Sequence, residues 1–425
     1  MDRYGRIVQV EMLLLFILVH NVSTSSFSVY NMSRSLTNFL FSASLLPAPD
    51  MSPETLITKQ GYPFEPHYVP TEDGYILEMH RIPHGKHGNV QNFSKYPVIV
   101  QHGNFQSSAD WLLNSPESES LGFFLADKGY DVWLGNQRGN EFSIRHSRVP
   151  VSSSKFWNFS FHEMGMYDLP AMLDYVTKIT QKPKAHYIGF SMGTTLFFSG
   201  LSKRPEYSEK VGIGIALGPS TFQDHFFNSW AKVIAPFTWF IQVFQKFAGD
   251  MPVLPQFVAN LLHKILPIIC HPKVDLIGIC MSVVQIGFGH DQGKITKEML
   301  YQITKVSPSS SSMKAFLHEL QLMGTSRFCE YDYGSDENMI KYGRQHPPDY
   351  NLTNVRAPIS LIVGSNDFLA HKEDAKNLGR KLPNLVDFHY VPYEHFTHLD
   401  FCYATDVSNL VYKHVVGLLN TYDNT

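Results

Sequence analysis

The sequence predicts an α/β architecture, with a mostly parallel sheet flanked by helices and an inserted helical cap. Three observations carry this expectation. Short apolar runs alternate with helix-like runs from Gly61 to near Pro219. Over 220–346 the alternation stops, and the chain is dense in apolar helical segments such as "FVANLLHKILPIIC" and "LIGICMSVVQIGFG". It resumes with "APISLIVGSND" and "VDFHYVPY". Strands that alternate with helices pair in parallel and are covered on both faces.

The elements follow in order. Arg3 and Arg6 precede an apolar stretch from Met12 to Val19, then small polar residues. This pattern reads as a secretory signal peptide over 1–25, cut near Ser23–Ser26. The apolar stretch is far shorter than the roughly 20 residues that cross a bilayer, so no transmembrane anchor is expected. Residues 26–55 are Ser-rich and read as a leader or mobile arm. Residues 56–219 then form the first part of the core, 220–346 the cap or lid, and 347–425 the second part of the core.

Within the first part, "PHYVPTEDGYILEMHRIP" is a hairpin turning at Asp73-Gly74. "YPVIVQHG" and "YDVWLGN" are strands, with the helix "LGFFLADKG" between them. The long helix "SFHEMGMYDLPAMLDYVTKIT" opens on a capping box of Ser160 and Glu163, and Pro170 is expected to kink it. "AHYIGF" and "VGIGIALGP" are further strands. The "LGNQRGN" stretch reads as a structural glycine-rich turn.

The chain has 425 residues, 44% apolar and 17% charged, enough for a large core. A net charge of −3 argues against a nucleic-acid partner. The 20 histidines would make the protein cationic in an acidic compartment. Sequons at Asn31, Asn92, Asn158 and Asn351 are glycosylation candidates. Of the four cysteines, Cys270 and Cys280 are the best candidate pair, leaving Cys329 and Cys402 as free, small apolar residues.

The chemistry centres on "HYIGFSMGTT". Gly189-Phe190-Ser191-Met192-Gly193 is a G-x-S-x-G turn with a strand before it and a helix after it. In that context a side chain at either glycine would clash, and the serine Oγ is pushed out over the sheet. A serine needs a base, and the base an orienting acid, in the chain order Ser, Asp or Glu, His. Asp367 follows the run "ISLIV", while Asp374 lies further into the next helix. His395 and His398 both lie in "VPYEHFTHLDF", and spacing does not choose between them. The oxyanion donors expected are the main-chain N–H groups of Met192 and of Asn104, the latter in the loop after "YPVIVQHG" that Gly103 lets approach.

From Gly61 onward the sequence resembles the acid lipase family, the group that includes gastric lipase and lysosomal acid lipase. The matching stretches are "GYPFEPHYVPTEDGYILEMHRIP", "VIVQHG", "YDVWLGNQRGN", "FWNFSFHEMGMYDLPA", "YIGFSMGTT", "YDYG" and "HLDF". The resemblance implies an α/β-hydrolase core with a helical cap that hydrolyses triacylglycerols or sterol esters, often at acidic pH, without metal or cofactor; the apolar segments of the cap are expected to dock on a lipid–water interface. It implies His398 as the base, Asp367 as the acid, Ser191 as the nucleophile, and Asn104 and Met192 as the oxyanion donors. The chain departs from the family at Phe190, where His is usual, at Met192, where Gln is usual, and at Asn104, where Leu is usual. The rival functions are an esterase or thioesterase of small soluble substrates and a non-catalytic lipid-binding protein. Part of 250–290 is expected to be the moving lid.

Overall fold

The computed structural model describes residues 50–86, 95–113, 119–225, 249–273, 278–290 and 292–423. The expected signal peptide, most of the leader, Asn31, Asn92 and the cap stretch 226–248 lie outside them. The core begins earlier than expected. Helix α1 (Pro53–Lys59) is capped by the Ser52 hydroxyl, which accepts from Thr55 N, and Ile57 is fully buried. Burial of Pro53 and Ile57 on a capped helix ties residues 53–55, the end of the expected arm, to the core.

β1 (Glu65–Pro70) and β2 (Tyr75–Ile82) form the antiparallel hairpin. Gly74 takes φ +104° at its turn, where a Cβ would lie 2.8 Å from the His146 ring. β3 (Val98–Gln101), β4 (Val132–Gly135), β6 (Ala185–Phe190), β7 (Val211–Leu217), β8 (Ile359–Val363) and β9 (Leu385–Tyr390) pair in parallel, and the two-residue β5 (Arg145–His146) sits beside β2. The order across the sheet is β1-β2-β4-β3-β6-β7-β8-β9. Residues alternate between faces. Val98, Val100, Ile188 and Phe190 pack on one side with helix α2 (Leu121–Asp127), while Ile99, Trp133 and Tyr187 pack on the other with α3 (Leu169–Thr180) and α4 (Met192–Lys203). Period-two alternation with both faces apolar makes a buried parallel sheet.

The expected kink takes a different form. The capping box is present, with Ser160 N donating to Glu163 Oε2 across 2.6 Å. The chain then widens into a π-turn at Met164–Asp168, closed by Leu169 N donating to Met164 O, and Pro170 lies in the first turn of α3. Pro170 lacks the N–H that would reach Met166 O, and that carbonyl accepts from Arg204 Nη1 at 3.4 Å. The widened turn also lets Gly165 lie against Gly200, where a Cβ would come within 2.7 Å of Gly200 N. The "LGNQRGN" stretch anchors the hairpin. Its buried Arg138 bonds Asp168 Oδ1 through Nε at 2.8 Å and Asp73 Oδ1 through Nη2 at 3.0 Å.

The cap supplies α5 (Gln256–Ile269), α6 (Ile279–Phe288), α7 (Lys297–Ile303), α8 (Met313–Leu322) and α9 (Ser335–Tyr342). Cys270 and Cys280 are joined by a disulfide that ties the end of α5 to the start of α6, and Cys329 and Cys402 are buried and free. No helix among the described residues is long and apolar enough to cross a membrane. Asn158 and Asn351 are exposed.

His318 on α8 is buried, stacked on Phe161 at 3.8 Å, and its Nε2 bonds the Cys329 carbonyl at 3.0 Å. Burial pushes its imidazole from 6.5 down to about 3. The unfolded chain therefore binds a proton that the folded chain refuses, and stability falls as pH drops below 6.5. His318→Phe is expected to lose roughly 3 kcal/mol less than the parent between about pH 7 and about pH 4.5 in denaturant titrations. Equal losses in the two proteins would overturn this. The unpaired Cys329 carbonyl in the variant costs about 1 kcal/mol at both pH values and cancels from the difference.

Candidate active site

β6 ends at Phe190 and α4 begins at Met192, so Ser191 alone makes the corner. It takes φ 52° and ψ −122°, a conformation that costs a non-glycine residue about 1–3 kcal/mol. Three contacts hold it there. Ser191 N donates to Leu217 O on β7 at 3.1 Å, and Ser191 O accepts from Thr194 N at 2.8 Å and Thr194 Oγ1 at 2.7 Å. The flanking glycines are required by space. A Cβ at Gly189 would lie 2.8 Å from Gly193 O, and one at Gly193 would lie 2.7 Å from Gln101 O.

Asp367 and His398 meet. His398 Nδ1 lies 2.7 Å from Asp367 Oδ2, both residues are buried, and Asp367 Oδ1 accepts from Leu369 N at 2.9 Å and Ala370 N at 2.7 Å. An ionised carboxylate only accepts, so Nδ1 carries the proton and Nε2 holds the lone pair. Among the described residues that Nε2 has no hydrogen-bond partner. The pair abuts the serine corner through Phe190, whose ring lies 4.7 Å from the imidazole, and through Gly218, where a Cβ would lie 3.2 Å from Asp367 Oδ2 and 3.3 Å from His398 Cε1. Asp367 also makes the turn before α10 (Lys372–Lys381), which starts later than the sequence suggests because His371 caps it through Glu373 N.

The alternative residues are engaged elsewhere. Asp374 Oδ1 lies 2.8 Å from His225 Nδ1 and its Oδ2 accepts from His225 N. His395 packs edge-on against Tyr393, and beside it the turn carrying His398 is held by Thr397 N donating to Asp400 Oδ2 at 2.6 Å.

The loop after β3 runs beside the serine. A Cβ at Gly103 would lie 3.0 Å from Ser191 Cβ, and Gly103 N donates to Gln106 Oε1. Met192 is the first residue of α4, so its N–H has no acceptor one turn back. His102 props the loop from beneath. Its Nδ1 bonds Gly103 O at 2.8 Å and its Nε2 lies 3.1 Å from Asn140 Nδ2, while burial pushes its imidazole down to about 4 and keeps it neutral. This is a task of "LGNQRGN" that its glycines do not advertise.

Two cap contacts reach the site. His398 N donates to Phe288 O at 3.3 Å, and the Phe288 ring stacks over the imidazole at 6.3 Å. Asn104 Nδ2 donates to Glu319 Oε2 at 2.7 Å. Burial pushes the Glu319 carboxyl up to about 7, against the opposite pull of Asn104 and the nearby His398. Gly218 had a signal in the sequence, a glycine ending a core strand. Glu319 had none, being 215 positions from Asn104.

Residues 53–115 match the partial alpha/beta-hydrolase lipase region, and 96–256 match the alpha/beta hydrolase fold. Lipase 3 of Drosophila melanogaster is 37% identical over 369 residues, covering 86% of this chain and 92% of the relative. Gastric triacylglycerol lipase of Bos taurus is 35% identical over 394 residues, covering 92% of this chain and 96% of the relative. The chain belongs to the acid lipase family. Among solved structures, a soluble variant of monoglyceride lipase from Saccharomyces cerevisiae in complex with a substrate analog aligns with this family member at TM-score 0.53 and 16% identity, covering 86% of this chain and 97% of that one. At that identity the likeness concerns the fold.

Proposed function

We propose that this acid lipase family member hydrolyses carboxylic esters of neutral lipids, triacylglycerols or sterol esters, through an acyl-enzyme. The observation that carries the reading is the buried His398–Asp367 pair beside the strained Ser191 corner. Ser191 Oγ attacks the ester carbonyl while His398 Nε2 takes its proton. Asp367 holds the imidazole in the required tautomer. The N–H groups of Met192 and Asn104 receive the oxyanion. His398 then protonates the departing alcohol, and water repeats the sequence to release the fatty acid.

The lipid class is supported by the cap. Phe257 is 74% exposed and Val283 65% exposed, and Ile269, Ile279 and Ile286 are also open on the disulfide-linked helices α5 and α6. An apolar surface next to the site suits docking on a lipid–water interface. The basic and apolar amino terminus and the exposed sequons support the secretory pathway, ending outside the cell or in a lysosome.

The test is hydrolysis of emulsified triolein and cholesteryl oleate, beside a short-chain soluble ester taken across its solubility limit. Rates are expected to climb once substrate forms a separate phase. Activity confined to dissolved esters would overturn the lipid reading, and none at all would overturn the hydrolase reading.

A further inference from the structure

Phe105 adopts φ +60° although it carries a bulky side chain. Such a conformation costs about 1–3 kcal/mol and persists only when the surroundings impose it. Here each part of the residue is held. Phe105 N donates to Asn104 Oδ1 at 3.0 Å, Phe105 O accepts from Ser309 N at 2.7 Å, and the ring packs on Phe316 at 5.7 Å. Ser309, Phe316 and Glu319 belong to one continuous cap stretch, the last two on helix α8.

Asn104 is the joint of this arrangement. Its amide uses the oxygen on Phe105 N and the nitrogen on Glu319 Oε2, so both ends of a freely rotating group are engaged. The amide can turn only by losing both bonds. The next residue back, Gly103, lies against Ser191.

We infer that Glu319 is a positioning residue: by accepting from Asn104 Nδ2 it fixes the loop whose main-chain N–H receives the oxyanion, and so couples that loop to the cap. This rests on the acyl-transfer reading above. Loss of the tether frees the Asn104 amide and lets Phe105 relax toward ordinary backbone angles, which withdraws the Asn104 N–H. A displaced oxyanion donor lowers the rate of the chemical step and leaves ground-state binding nearly unchanged.

The experiment compares kcat and KM on a fluorogenic ester, with melting curves, for Glu319→Leu, Glu319→Asp, Glu319→Gln, Asn104→Leu and the double Asn104→Leu/Glu319→Leu protein. Glu319→Leu and Glu319→Asp are expected to lose about tenfold to a hundredfold in kcat, with KM within about threefold, since losing one oxyanion donor outright costs about 10²–10³. Glu319→Gln keeps an acceptor oxygen at the same reach and is expected to stay within about threefold of the parent. The double variant is expected to be no worse than its worse single parent, because the two side chains act as one unit. Parental kcat in Glu319→Asp, equal losses in Asp and Gln, or additive losses in the double variant would each overturn the inference. Should the Leu variants not fold, the Asp and Gln pair still decides. If the parent neither hydrolyses esters nor is labelled by a fluorophosphonate, the acyl-transfer reading fails instead.

Discussion

Ser191→Ala is expected to cut ester hydrolysis by about 10⁴-fold or more and to abolish labelling by a fluorophosphonate, while the protein stays folded. The substitution removes one oxygen. The Cβ that touches the Gly103 loop remains, as do the bonds of Ser191 N and O to Leu217 and Thr194. The melting temperature should therefore hardly move. Ser191→Gly makes a sharper comparison. It is equally inactive, but glycine accepts φ 52° without penalty, so it is expected to melt higher than Ser191→Ala. Both variants are to be assayed on triolein and cholesteryl oleate from acidic to neutral pH. Hydrolysis at the parent rate in Ser191→Ala would remove Ser191 from the mechanism.

Asp367→Asn is expected to lower kcat by about 10⁴-fold with little change in stability. The structure dictates which way the new amide faces. The position of Oδ1 takes two N–H donors, from Leu369 and Ala370, so the amide oxygen must sit there and the NH₂ must face His398 Nδ1. Two donors cannot share that contact. The imidazole shifts its proton to Nε2, and the lone pair that should receive the serine proton is lost. Steady-state kinetics and the rate of fluorophosphonate labelling should fall together. A loss smaller than about tenfold would mean that another group orients the base, and Asp374, bound to His225, could not be that group without breaking its own pair.

Much of the fold is legible in the sequence because it is written in short-range terms. The hairpin at Asp73-Gly74, the capping box of Ser160 and Glu163, and the G-x-S-x-G corner each involve residues only a few positions apart. Steric limits on glycine and the reach of one side chain settle them. Pro170 shows where local reasoning goes wrong. A missing N–H does demand a departure from the helix, but packing of Gly165 on Gly200 sets where it occurs, one turn earlier, and Arg204 takes the freed carbonyl. The end of the arm makes a smaller point. Ser-rich composition spoke for mobility over 26–55, and its last residues, from Pro53, open a capped helix on which Pro53 and Ile57 are buried.

By itself, the sequence determined the alternating core, the inserted cap, the serine corner and membership of a lipase family, since period, turn chemistry and long ordered motifs survive without coordinates. The family resemblance named Asp367 and His398, but tertiary structure alone brought them together as a buried pair, laid Gly218 and Phe288 against that pair, and set His102 and Glu319 on the loop beside Ser191. The physical reason is distance along the chain. Asp367 and His398 stand 31 residues apart and Asn104 and Glu319 stand 215 apart, and no periodicity or spacing rule links residues that meet only because a sheet orders its strands and a cap folds back over their ends.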